Sequence, residues 1–106
     1  QSTTAIAIHG CRQPDDRICL GGLDAAQAER IGRFLQEAGF KTGSKDGIQG
    51  RSRHNICNLC GSGMGVQLEV PFALRCRMFA HLKADGRRCT TDIFARLVQS
   101  VREALP

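Results

Sequence analysis

The chain has 106 residues, of which 42% are hydrophobic and 24% are charged, and its net charge is +5. This composition is typical of one folded domain with a modest core, so we predict a single domain over 1–106 and exclude a disordered chain. The chain lacks an apolar run near the ~20 residues of a membrane helix, and it lacks the Trp and Tyr residues that stack on bases. We therefore predict neither a membrane nor a nucleic-acid partner, whereas the basic charge suits a polyanionic substrate.

The first predicted element is a strand at 4–10, "TAIAIHG". It is apolar on both faces, which indicates a central strand of a mostly parallel sheet covered by helices. His9 then lies at the carboxyl end of that strand, where the ligand sites of open α/β sheets collect. A strand of this kind needs neighbours on both sides, and the chain offers few. This shortage of strands predicts that the chain is part of a larger domain or borrows surface from a partner. The first residue is Gln rather than Met, which predicts that an upstream segment such as a signal peptide or propeptide has been removed.

The following segments read as an α/β pattern. "ICLGG" predicts a brief strand or the return of a hairpin, and Asp24 caps a predicted helix over 25–38 that ends at Gly39. We predict a long loop over 41–53, a helix from Pro71 to about 82, and a last helix from 90 or 91 to 104.

The strand "GVQLEV" at 65–70 poses the question of function. Val66, Leu68 and Val70 share one face, while Gln67 and Glu69 share the other. A carboxylate among apolar residues is costly unless it is paired or has a chemical role. The structural alternative is a solvated Glu69 on an edge strand.

Six cysteines in a short chain favour up to three disulfides and an oxidising compartment, and so a secreted, extracellular protein. Buried thiols are the alternative. Cys57 and Cys60 form a C-x-x-C pair that also suits zinc or redox chemistry, although a structural zinc site needs a second close pair.

The segments "AIHGC", "LGGLDAAQAERIGRFLQEAGF", "NICN" and "GVQLEVPFALR" resemble the poly-γ-glutamate hydrolase family of phages and bacteria, which are compact relatives of the zinc carboxypeptidases. The resemblance covers about 5–75 and corresponds to the C-terminal half of the family's domain. It implies an α/β fold with a partial, open, mostly parallel twisted sheet flanked by helices. It also implies zinc-dependent hydrolysis of γ-glutamyl or similar amide bonds.

The resemblance assigns roles to two residues. His9 corresponds to a zinc ligand of the family, and Glu69 corresponds to the general base that takes a proton from a zinc-bound water. The family's other ligands come from an H-G-x-x-x-E-type segment upstream of anything in this chain. The resemblance therefore implies zinc as cofactor, and as partner either a complementary N-terminal half chain or self-association.

Four polar residues near these motifs are predicted to bind substrate carboxylates: Arg53, Asn55, Asn58 and Arg75. Their alternatives are structural, since the asparagines can brace the loop and the arginines can be solvated. For the whole chain, two further functions stay open. One is a non-catalytic binding remnant of the fold, and the other is a cysteine-stabilised basic module for an anionic partner.

Overall fold

The structure is a computed structural model and describes residues 3–44, 51–83 and 86–106. Within these ranges the strands are β1 (Ile6–Cys11), β2 (Ile18–Gly21), β3 (Thr42–Gly43) and β4 (Val66–Pro71). The helices are α1 (Ala25–Glu37), α2 (Phe72–Met78) and α3 (Asp92–Ala104), with 3₁₀ turns at Ile56–Asn58 and Gly86–Arg88. The described helices are too short or too polar to cross a membrane.

The four strands form one open sheet in the order β1-β4-β2-β3. β1 and β4 are parallel, β2 and β3 are parallel, and β2 and β4 are antiparallel. This mixed, mostly parallel sheet flanked by three helices confirms the predicted α/β class. "ICLGG" is β2, but it does not form a hairpin with β1 because β4 lies between them.

The prediction that the first strand is central and buried on both faces is wrong for this chain. Within the described residues β1 pairs with β4 alone, so its other edge has no strand beside it. The side chain of Ile8 is accordingly 58% exposed. Apolar residues on both faces thus occur here on an edge strand.

β4 is an interior strand, and all six of its residues are buried. Its alternate residues Val66, Leu68 and Val70 belong to the main hydrophobic cluster, to which all three helices contribute. The helices therefore pack on this face of the sheet, and Gln67 and Glu69 face the other way. The remaining buried members of the cluster are Ile18, Ile31, Leu35, Phe40, Leu74, Met78, Leu97 and Ala104.

The boundaries of α1 agree with the predicted helix. The Asp24 side chain accepts a hydrogen bond from the Gln27 N–H at 3.0 Å, which caps the first turn. Gly39 follows the last turn with a φ of 95°, a left-handed conformation that glycine adopts without strain. The predicted loop at 41–53 contains the short strand β3, and 45–50 lie outside the described residues.

α2 ends at Met78 and is shorter than the predicted helix to about 82. Phe79 has an extended backbone and forms a β-bridge with Thr90. Its ring lies 5.4 Å from that of Phe94 on α3, measured between centroids. The helix ends there because packing of Phe79 against α3 requires the chain to leave the helical path.

Candidate functional site

The register of the sheet places three chemically active side chains in one row. Glu69 in β4 lies opposite His9 in β1 and opposite Cys19 in β2. Residues at opposite positions of neighbouring strands project from the same face, and such strands lie ~4.8 Å apart. His9, Glu69 and Cys19 therefore form a row across three strands, which we call the polar row.

Glu69 is almost completely buried, with 8% of its surface exposed. Its Oε1 accepts a long hydrogen bond from Gln67 Nε2 at 3.4 Å, and Gln67 is itself 2% exposed. Asn55 Nδ2 in turn donates to Gln67 Oε1 at 3.5 Å. The alternative of a solvated glutamate on an edge strand is wrong, because β4 is interior and the carboxylate is covered.

His9 is exposed and lies near the carboxyl end of the edge strand β1. This exposed position suits a ligand that is shared with atoms from elsewhere. Across residues 3–44, 51–83 and 86–106, no three His, Cys, Asp or Glu side chains cluster tightly enough to hold a metal ion. The described chain thus brings His9 and Glu69 together but does not complete a metal site.

The segment that covers the Glu69 face of the sheet is built around Asn58. This side chain is 2% exposed, and its Oδ1 accepts the N–H groups of Leu23 at 3.1 Å and Gly65 at 2.9 Å. Its Nδ2 donates to the Ser52 carbonyl at 2.9 Å. These contacts fit the structural alternative for Asn58, in which the asparagine braces the loop.

The other predicted substrate-binding residues have different surroundings. Asn55 Oδ1 accepts the Cys57 N–H at 3.1 Å and so begins the 3₁₀ turn, while Arg53 is exposed on the loop. Arg75 donates to the Val70 carbonyl at 3.2 Å and to the Cys11 carbonyl at 3.3 Å, which ties the ends of β4 and β1 together. Substrate binding by these residues stays a prediction.

No disulfide joins any of the six cysteines, so the predicted disulfides are wrong. The thiols lie on separate elements with different exposure: Cys19 is buried in the sheet, whereas Cys76 and Cys89 are exposed. The described residues also contain no group of cysteines close enough together to hold a zinc ion. The secreted location stays a prediction, without disulfides to favour it.

The C-x-x-C pair consists of two unlike thiols. Hydrogen bonding to the Ser62 hydroxyl lowers the pKa of Cys60, whose Sγ also lies 3.2 Å from the Met64 carbonyl. Burial raises the pKa of Cys57.

Two residues near the polar row were missed at the level of sequence. Cys19 lies opposite Glu69 in the sheet, and its Sγ donates to Gln13 Oε1 at 3.4 Å. Arg12 follows β1 directly, and its guanidinium carbon lies 5.9 Å from the ring centre of Phe72. Neither position stands out in the sequence, since both depend on the order of the strands. The one local signal for Arg12 is its position directly after the "IHGC" motif.

Comparison with known proteins agrees with this geometry. The sequence profile of the poly-gamma-glutamate hydrolase family matches residues 1–100. The chain belongs to the poly-γ-glutamate hydrolase family. The predicted resemblance is confirmed, and it extends into α3, beyond the predicted span of about 5–75.

Solved structures of this family share the fold. A bacteriophage poly-gamma-glutamate hydrolase superposes with a TM-score of 0.90 at 28% identity, over 96% of this chain and 51% of that one. A zinc-free apo form of YndL superposes with a TM-score of 0.82 at 26% identity, over 93% of this chain and 51% of that one. The chain thus corresponds to about half of each solved relative.

The relatives in Bacillus subtilis (strain 168) are likewise longer than this chain. The SPbeta prophage-derived protein YoqZ is 34% identical over 90 residues, which span 82% of this chain and 33% of that protein. YmaC is 31% identical over 90 residues and is covered to 38% of its length. The chain spans about a third of the length of these curated relatives.

Proposed function

We propose that this chain provides part of the active site of a zinc-dependent hydrolase that cleaves γ-glutamyl amide bonds. Glu69 acts as the general base and His9 as one zinc ligand. The observation that carries the proposal is the register of β1 and β4, which sets His9 directly opposite a buried Glu69. Membership of the poly-γ-glutamate hydrolase family supports the reaction class and the polyanionic substrate.

The donor set fits one side of a catalytic zinc site. Such a site takes three protein ligands and keeps one position open, and imidazole nitrogen is a common ligand. His9 supplies one ligand from an exposed position. When bound, zinc would acidify a coordinated water and polarise the amide carbonyl.

Glu69 has the environment that a general base needs. Its burial withdraws the carboxylate from bulk water, and the amide of Gln67 orients one of its oxygens. The Glu69 carboxylate can accept a proton from the attacking water and return it to the leaving amine. Gln67 and Asn55 act as positioning residues, because they connect Glu69 to the covering loop.

In this proposal, the zinc ligands other than His9 come from a complementary N-terminal half of the fold. The chain covers 51% of each solved relative, which leaves an equal share of that fold to be supplied. The outer edge of β1 carries His9 and the exposed Ile8, and it has no strand partner in the described chain. A further strand paired there would bring its residues next to His9. Self-association through the same edge is the other arrangement that we consider.

One observation favours a second function, a non-catalytic binding protein with the same fold. The described residues contain no three-ligand cluster, so this chain by itself need not hold zinc. A protein that keeps this sheet but no longer catalyses the reaction would still bind an anionic polymer through its basic surface.

The test measures hydrolysis of poly-γ-glutamate and bound zinc on the same preparation of the natural protein with any chain that accompanies it. Glu69→Gln should reduce turnover by roughly 10²–10⁴-fold with zinc content unchanged. His9→Ala should lose zinc together with activity. Glu29→Gln on the exposed face of α1 makes the same chemical change away from the site and is the control.

Each outcome separates the two functions. Activity that survives Glu69→Gln would remove Glu69 as the base, and loss of zinc in that variant would make it a ligand. Wild-type protein that binds the polymer but neither hydrolyses it nor holds zinc would support the non-catalytic function.

A further inference from the structure

The connection between β1 and β2 begins at Arg12, beside the proposed active site. Arg12 follows His9 by three positions, and the chain leaves β1 at Cys11. At ~3.3 Å per residue its backbone lies about 10 Å from that of His9. Phe72, which the Arg12 guanidinium contacts, directly follows the last residue of β4. Arg12 is therefore held at the sheet edge where the strands of His9 and Glu69 both end.

Two guanidinium groups share the ring of Phe72, which is 46% exposed. Arg75 lies 5.6 Å from the ring centre, and its Nε and Nη2 donate to two backbone carbonyls. Arg12 is exposed, and within the described part of the chain no carboxylate lies within ion-pair distance of it. An anion that binds there would meet a guanidinium with open donors and would relieve the repulsion between two neighbouring cations.

We infer that Arg12 binds a free carboxylate of the substrate, one residue or more away from the bond that is cleaved. The inference rests on the proposed function. Each residue of a γ-linked glutamate polymer keeps its α-carboxylate, so the substrate presents a regular row of anions. Arginine grips a carboxylate through two parallel hydrogen bonds. A γ-linked glutamate has five chain atoms where an α-linked residue has three, so one extended unit spans about 6 Å. The backbone separation of about 10 Å exceeds that span, so Arg12 contacts the polymer beyond the reacting unit.

Phe72 gives this contact its geometry. A guanidinium over an aromatic face is attracted by the ring and loses less freedom when it binds a planar carboxylate. Lysine keeps the charge at position 12 but has neither the planar fork nor the stacking. The arrangement thus predicts that Arg12→Lys binds the polymer less tightly than the wild type and more tightly than Arg12→Gln.

The test measures binding of a short poly-γ-glutamate to the natural protein by calorimetry at low salt, without added metal so that no hydrolysis intervenes. The matched control is Arg33→Gln, which removes one positive charge from an exposed position of α1. Relative to that control, Arg12→Gln should weaken binding by about tenfold to a hundredfold. A polymer whose α-carboxylates are amidated should bind both variants equally.

Two results would overturn the inference: equal affinities of Arg12→Gln and Arg33→Gln, or no binding by the wild type. Circular dichroism of each variant checks that the fold is intact, and Phe72→Leu supplies a second variant that releases the guanidinium without changing its charge. If the protein binds through Arg12 but its metal-loaded form never hydrolyses the polymer, the proposed function fails alone. If hydrolysis occurs and Arg12→Gln matches its control, the inference fails alone.

Discussion

Replacement of Asn58 by alanine should destabilise the protein and leave its intrinsic affinity for substrate carboxylates unchanged. Asn58 is 2% exposed, and its side-chain hydrogen bonds include those with the Leu23 and Gly65 N–H groups and with the Ser52 carbonyl, at 2.9–3.1 Å. Those N–H groups belong to Leu23, just before α1, and to Gly65, just before β4. Asn58 therefore holds the covering loop against the starts of two core elements.

The magnitude follows from the groups that lose their partner. A buried donor without an acceptor costs about 1–3 kcal/mol. Gly65 is buried, so its N–H should approach the full cost, whereas Leu23 is partly exposed and water can reach it. The Ser52 carbonyl lies on an exposed residue and adds little. We expect Asn58→Ala to lower the free energy of unfolding by about 2–4 kcal/mol, a large share of the 5–15 kcal/mol typical of a domain.

Urea unfolding of three variants tests this expectation. Asn55→Ala removes the bond that begins the 3₁₀ turn and should cost about 1 kcal/mol. Asn58→Asp keeps an acceptor for both N–H groups and should cost less than Asn58→Ala. A loss below about 1 kcal/mol for Asn58→Ala, or one no larger than for Asn55→Ala, would contradict the reasoning. Unchanged stability with weaker polymer binding would instead restore the predicted role of Asn58 in binding substrate.

Two further predictions concern the same loop. A Cβ at Gly65 would lie 1.6 Å from the Cys57 carbonyl oxygen. Gly65→Ala should therefore lower the free energy of unfolding by about 3 kcal/mol or more, measured by thermal unfolding. A variant as stable as the wild type would disprove the close approach. The hydroxyl of Ser62 lowers the pKa of Cys60 while burial raises that of Cys57, so Cys60 holds more thiolate at any given pH. Iodoacetamide should label Cys60 at lower pH than Cys57, and Ser62→Ala should shift the labelling of Cys60 to higher pH. Mass spectrometry that finds Cys57 labelled before Cys60 would contradict this prediction.

The sequence predicts local structure well where one face of an element is buried. The alternation of Val66, Leu68 and Val70 identifies β4, and the cap at Asp24 with Gly39 beyond locates α1 within a residue. Both signals act over a few residues, which is why they can be read without the fold. The end of α2 was missed because it depends on a contact between Phe79 and a ring far along the chain.

The candidate site could be predicted only in part, for the same reason. The motifs name His9 and Glu69, but their direct opposition follows from the register of strands that are sixty residues apart in sequence. The burial of Glu69 likewise follows from the interior position of β4, which no local pattern encodes. Cysteine number favoured disulfides, yet pairing depends on distances between elements that the sequence does not contain.

The strand directions explain why chemistry collects at one edge of this sheet. β1 and β4 are parallel, so their carboxyl ends meet at the same edge. β2 runs antiparallel to β4, so its first residues begin at that edge as well. The connection at 12–17 must therefore pass along the edge, past the end of β4, and it brings Arg12 there. One topological choice, β4 inserted between β1 and β2, thus accounts for the burial of Glu69 and for its flanking by His9 and Cys19. It also places a cationic side chain within reach of a substrate that approaches from the strand ends.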